Sequence, residues 1–215
     1  MKLQSIWRFY CENGSYLLAA RLLDSPLDFV RNYFISKRLR VKKISIGPRY
    51  YLRGLSSVCM GEDFSAGEGF WMDAITRYRG QAFSPRIVIG NHVRISQWVH
   101  ITATHYVDIG DNVLIGSKVI ITDHNHGQYS REHTSPHIAP TLRPLDHDRR
   151  VSIGQNVWIG DGVVVTPGST IGEGTVIGAN SVVCGDIPPF AVAGGVPAKI
   201  LKIFNFSIQK WVKTE

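Results

Sequence analysis

The stretch "NVWIGDGVVVTPGSTIGEGTVIGANSVV" (156–183) places an aliphatic residue at every sixth position. Ile159, Val165, Ile171, Ile177 and Val183 hold that register, and Ile153 extends it backward. Neither common template has this period: a helix repeats its apolar residues at three and four, and a strand alternates by two. One aliphatic residue, then Gly, Asp or Asn, then a small or β-branched residue, describes a short strand followed by a turn. Three such hexads close one triangular coil with the aliphatic side chains inside. β-branched residues suit flat strands, while Gly and Asn accept the positive φ that corners impose. Coils stacked on one another satisfy their backbone groups above and below. The expectation is an all-β hexapeptide β-helix.

Working outward, Ile-Gly recurs at 46, 89, 109 and 115, and Ile89, Ile95 and Ile101 keep the period. A weaker set lies at Met60, Ala66 and Met72. The register slips twice. Ile101 to Ile109 is eight residues, so two residues should bulge near Thr104 and His105. After Ile121 the hexads cease, and 122–150 instead carries Pro136, Pro140, Pro144 and several histidines. A long segment of this kind inside a repeat reads as an extruded, functional loop. The chain thus divides into a helical basic arm (1–45), a β-helix domain (46–204) and a C-terminal tail (205–215).

In the arm, Tyr16 to Leu23 is nearly all apolar, and Ser25-Pro26-Leu27-Asp28 supplies an N-cap, a first-turn proline and an acid. Leu27, Val30 and Phe34 then follow at helical spacing, predicting an amphipathic helix packed on the prism or on a neighbouring subunit. The alternative is a basic interfacial helix. Net charge is +7, and residues 1–43 contribute nine Lys/Arg against three acids, nearly the whole excess. The near-neutral remainder argues against nucleic-acid binding, and the arm is suited to an anionic membrane surface or an acidic partner. Cys11, Cys59 and Cys184 form no CxxC pair or disulfide framework. Arg8 and Glu12 interrupt any signal-like apolar run. With no window of about 18 apolar residues, a cytoplasmic location is expected.

The hexads, the histidine-bearing loop and "DIPPFAVAGGVPAKILK" (186–202) resemble the hexapeptide-repeat acetyltransferases, in particular the galactoside, maltose and xenobiotic group. "DHNHGQYS" (123–130) and "TSPHIAPTLRPL" (134–145) most resemble bacterial lipopolysaccharide O-antigen O-acetyltransferases. The resemblance covers about residues 46–204. It implies a left-handed parallel β-helix, a homotrimer with active sites between subunits, and acetyl-coenzyme A as cosubstrate with no metal required. The acceptor would be a sugar hydroxyl of a surface polysaccharide, free or lipid-linked.

The resemblance also implies site residues. A loop-base histidine deprotonates the acceptor, a task matched to an imidazole pKa of about 6.5. The galactoside enzymes' base lies five residues beyond the equivalent of Ile121, which is His126; His124, three beyond and expected still on the strand, is the second candidate for the base. Asp123 is placed to orient an imidazole or touch the sugar. Trp158, outward beside inward Ile159, would wall the acetyl group or a sugar face. The Asp161 amide corresponds to the oxyanion donor. Ala179 and Cys184 match positions along the pantetheine arm, and Pro197 matches the proline near the adenine. Lys199 and Lys202 stand where the galactoside enzymes carry phosphate-binding arginines. Ser96 and Thr104 fall at or near acceptor positions, without matching in type.

Three other readings stay open. The first is acetylation of an antibiotic or amino sugar. The second is a γ-carbonic-anhydrase-like zinc enzyme, for which His100 and His105 have the spacing of two ligands. The third is a non-catalytic trimeric scaffold.

Overall fold

Each hexad carries one wide inward side chain and a short β-branched strand, so the chain closes a coil every three strands and stacks the next directly on it. The computed structural model describes Trp7, Cys11, and residues 27–129 and 134–214. Strand Leu114–Ile115 lies on the first face, Ile120–Thr122 on the second and Val151–Ile153 on the third. Trp158–Ile159 then returns beside Leu114–Ile115. Among the described residues the three faces hold nine, six and six strands, all paired parallel except the last two strands of the first face. The result is a three-sided parallel β-helix.

The inward column is the core. Ile101, Ile115, Ile121, Ile159, Val165, Ile171 and Val183 are fully buried, each stabilising the fold by about 1.5–3 kcal/mol. The weaker early set also points inward, with Met72 and Ala66 buried and Met60 half-buried. The corners use the expected residues: Asn112, Asn156 and Asn180 have φ of 57°, 58° and 58°. Gly160 answers a different need, because a Cβ there would lie 2.6 Å from the Ala179 backbone nitrogen.

The ends depart from expectation. Residues 27–39 are helical, as predicted. The side chains that close the prism are Ile35 and Leu39, four apart, followed by Val41. Leu27, Val30 and Phe34, expected to pack on the prism or on a neighbouring subunit, are exposed with Phe29 and Tyr33 and do not pack on the chain's own prism. The helix is instead anchored by polar contacts on its prism side. Arg31 donates to the Ile46 carbonyl, and the Asn32 side chain accepts from the Ile46 amide at 3.1 Å. The predicted cap at Ser25-Pro26 and the apolar run Tyr16 to Leu23 lie outside the described residues.

At the other end, the described residues of the tail, 205–214, take part in an antiparallel hairpin. Strand Lys199–Asn205 pairs antiparallel with Ala191–Gly194, and Lys210–Lys213 pairs with it in turn, extending the first face. Ile200 packs against the core while Leu201, Ile203, Phe206 and Trp211 stay exposed, and a hexad search does not detect this hairpin.

Candidate active site

Strand Ile120–Thr122 should lead into an ordinary corner, but its successor dives inward. Asp123 is fully buried. The bulge expected at Thr104 and His105 lies beside it, one coil below, and turns its backbone toward the carboxylate. The amides of Thr104, His105 and Tyr106 donate to Asp123 at 2.9, 2.8 and 2.8 Å, and the Thr104 hydroxyl donates at 3.2 Å. The register slip is therefore an anion cradle. Burial alone would push the Asp123 carboxyl up. The hydrogen bonds from His124 and from the Thr104 and His105 amides outweigh burial and hold it below the ordinary aspartate value.

His124 Nδ1 lies 2.9 Å from Asp123 Oδ1. An ionised carboxylate can only accept, so Nδ1 donates, and in the neutral ring the lone pair falls on Nε2. The His124 side chain is 10% exposed. It does not sit on the strand, as expected, because the strand ends at Thr122; the inward turn of Asp123 carries it off. His126 is the residue on a strand, Asn125–His126, which pairs antiparallel with Leu145–Asp146 at the root of the loop. It is exposed. Its Nδ1 lies 3.3 Å from the Tyr78 hydroxyl, which donates to the Thr141 carbonyl at 2.9 Å.

Tyr78 belongs to a hairpin missed in the sequence, Arg77–Tyr78 with Gln81–Ala82, which leaves the same prism edge two coils earlier. Gln81 accepts from the Leu145 amide at 2.7 Å and donates to the Leu145 carbonyl at 3.2 Å, bracing the large loop. The available signal was the spacing from Met72 to Ile89, which is not a multiple of six. A cleft of 240 Å³ between hairpin and loop is lined by residues including Gln81, Gln128 and Asp146. Its lining includes none of the expected site residues.

The remaining expected residues fall elsewhere. Cys184 is exposed on the His124 edge, two coils beyond Thr122 through Val165 and Val183. Trp158, 53% exposed, stands on the first face between Leu114 and Val176. Lys199 and Lys202 continue that face opposite Gly194 and Val192. Exposed Pro197 lies in the turn just before Lys199. Ser96, half-buried, and Asp161 and Ala179, both exposed, occupy the corner following the first face. Thr104 is 2% exposed and committed to Asp123, so neither residue offers an atom to an acceptor.

That corner contains a ladder. The Ser117 amide donates to the Asp161 carboxylate of the next coil at 2.5 Å. Ala179 occupies the next rung and has no side-chain oxygen. The Asp161 amide consequently has no acceptor among the described residues. The expected residues thus form two sets on different edges of one prism, with the histidine dyad on one edge and Trp158, the free amide and the lysines on the other. His100 and His105 do not converge: His100 is on the second face, and His105 is in the bulge.

Comparison with known proteins identifies the family. Residues 150–185 match the bacterial transferase hexapeptide (six repeats) family. The chain is 44% identical over 165 residues to WbbJ of Escherichia coli (strain K12), assigned as a lipopolysaccharide biosynthesis O-acetyl transferase, covering 76% of this chain and 80% of the relative. It is 35% identical over 150 residues to the galactoside O-acetyltransferase of the same strain, covering 66% of this chain and 64% of that protein. Among solved structures, the hexapeptide-repeat acetyltransferase VCA0836 of Vibrio cholerae O1 biovar eltor, in complex with acetyl coenzyme A, superposes with a TM-score of 0.54 at 26% identity. That match covers 83% of this chain and 79% of the other. The fold is the left-handed parallel β-helix that the motifs imply, and the chain belongs to the hexapeptide-repeat acetyltransferases.

Proposed function

We propose that this protein transfers acetyl from acetyl-coenzyme A to a sugar hydroxyl of a bacterial surface polysaccharide or its precursor, with His124 as general base. The observation that carries the reading is the Asp123–His124 dyad, in which a buried, cradled carboxylate directs the Nε2 lone pair outward. This moves the base from His126 to His124. His126 sits on the loop's own hairpin and has a tyrosine rather than a carboxylate for a partner.

In this reading the acceptor hydroxyl gives its proton to His124 Nε2 as its oxygen attacks the thioester carbonyl. Asp123 holds the ring and stabilises the imidazolium that forms. The free Asp161 amide donates to the tetrahedral oxyanion. Collapse expels the coenzyme thiolate, which takes the proton back from His124. Trp158 walls the acetyl group, Ala179, Cys184 and Pro197 line the coenzyme's path, and Lys199 and Lys202 face its phosphates.

The two edges of one prism do not meet, so the proposal includes a homotrimer in which each seam joins one subunit's dyad to its neighbour's Trp158 edge. The exposed stripe Leu27, Phe29, Val30, Tyr33 and Phe34, flanked by Lys37, Arg38, Lys42 and Lys43, suits peripheral contact with an anionic membrane and a lipid-linked acceptor.

The test is transfer of radiolabelled acetyl to alkali-de-O-acetylated lipopolysaccharide oligosaccharide. His124→Ala is expected to lower kcat by about a thousandfold, and His126→Ala by only a few-fold. Wild-type rates in His124→Ala would remove the mechanism.

A further inference from the structure

The second face carries an aromatic column that the proposed chemistry does not use. In register, Tyr51 pairs with Trp71, Trp71 with His100, and His100 with Ile120, all outward. The Tyr51 and Trp71 rings stack at 4.1 Å, and His100 meets Trp71 edge-on at 5.2 Å. Tyr51 and Trp71 remain 38% and 41% exposed. Beside them runs a polar column. Arg53 donates to both Asp73 oxygens at 2.7 Å, and in register above lie Thr102 and Thr122. Arg53 Nη1 has no partner among the described residues.

The upper end of both columns is the strand that delivers Asp123 and His124. Coils are about 4.8 Å apart, comparable with the length of one pyranose ring. A strip from His124 to Trp71 therefore spans two further sugar units. Rigid aromatic faces bind the C–H faces of sugars, and planar guanidinium and hydroxyl groups alongside bind their hydroxyls. Along the two columns, among the described residues, a coenzyme phosphate chain would find Arg53 as the single Lys or Arg, and it is already paired with Asp73.

We infer that Tyr51, Trp71 and Arg53 form an acceptor subsite that holds the sugar units adjoining the one acetylated, so that the enzyme acts on an oligosaccharide rather than a free monosaccharide. The inference rests on the sugar-acetyltransferase reading above.

The experiment grades the same de-O-acetylated oligosaccharide by length, from one to four sugars. It measures transfer, slow hydrolysis of acetyl-coenzyme A by water, and mass in solution. The wild type is expected to show acceptor KM falling about tenfold from one sugar to three. Trp71→Ala should lose that advantage with hydrolysis and mass unchanged, and Trp71→Phe should regain most of it. Length-independent transfer by the wild type, or an unaltered length profile in Trp71→Ala, overturns the subsite alone. A fall in mass for Trp71→Ala assigns the column to subunit packing and also overturns it. Failure of the wild type to acetylate any saccharide while hydrolysing acetyl-coenzyme A removes the underlying reading as well.

Discussion

Two edges of the same prism are built from the same stacked strands and treat their turns in opposite ways. At the corner after the first face, turns are tight and repetitive, with Gly116, Gly160 and Gly178 stacked in register. There a Cβ at Gly160 has no room. At the corner after the second face, every coil from residue 74 to 150 is interrupted, by a hairpin, a bulge and a loop in turn. The first edge shows what the repeat demands for stability. The second shows where the repeat is broken to make an anion cradle beside a histidine. Substitutions at the close-packed glycines of the first edge should act on stability, and those at the Asp123–His124 dyad of the second chiefly on rate.

The largest expected effect is Asp123→Asn. It keeps the shape but removes the charge that fixes the His124 tautomer, so kcat should fall by about a thousandfold or more. Stability should fall by about 2 kcal/mol, since three amides lose a charged acceptor. Retained activity in a folded Asp123→Asn would erase the catalytic side of the comparison. Next is Gly160→Ala, expected to cost roughly 1–3 kcal/mol in chemical denaturation because the new methyl meets backbone. An unaltered denaturation midpoint would show that the tight corner can relax.

Ala179→Asn sharpens the comparison by making the regular edge more regular. Its Oδ1 would accept from the Asp161 amide, as the Asp161 carboxylate does from Ser117. Stability should hold while kcat drops about a hundredfold, the loss of one oxyanion donor. Equal turnover would show that this amide is not that donor.

The smallest effects are in pH. The folded Asp123 pKa lies below its unfolded value of about 3.9. Its stabilising contribution is therefore present above that value and fades only as pH falls below it. Any limb in the rate profile between pH 5 and 8 should then persist in Thr104→Val, which weakens only the cradle. His100 has the opposite chemistry. Burial lowers its pKa, with Asp73 opposing and His124 adding to the shift. The unfolded chain binds that proton more readily, so stability should fall as pH drops through about 6.5. Melting temperatures in His100→Gln should show a shallower decline, and an identical slope would exclude His100 as the source.

Much of this was legible in residues alone. Period six predicts the prism because each strand-and-turn of six residues returns a large aliphatic residue to the interior, and Ile101, Ile121, Ile159 and Val183 all point there. The slip between Ile101 and Ile109 marks a bulge for the same reason. The hairpin carrying Tyr78 was missed because it interrupts a stretch where the inward residues are Phe70, Met72 and Ala74 rather than isoleucine. The helix was assigned its apolar stripe correctly, but the stripe's direction depends on Arg31 and Asn32 finding the Ile46 backbone.

The sequence by itself determined the repeat, its interruptions and the family, because periodicity and local motifs are one-dimensional. Only the tertiary structure decided which histidine has a buried carboxylate for a partner. The Asp123 cradle draws its donors from Thr104, His105 and Tyr106, a coil away in space and nearly twenty positions away in the chain. No spacing rule within "TDHNH" (122–126) reports that three amides converge on its aspartate, and that convergence sets apart two histidines that look equivalent on the page.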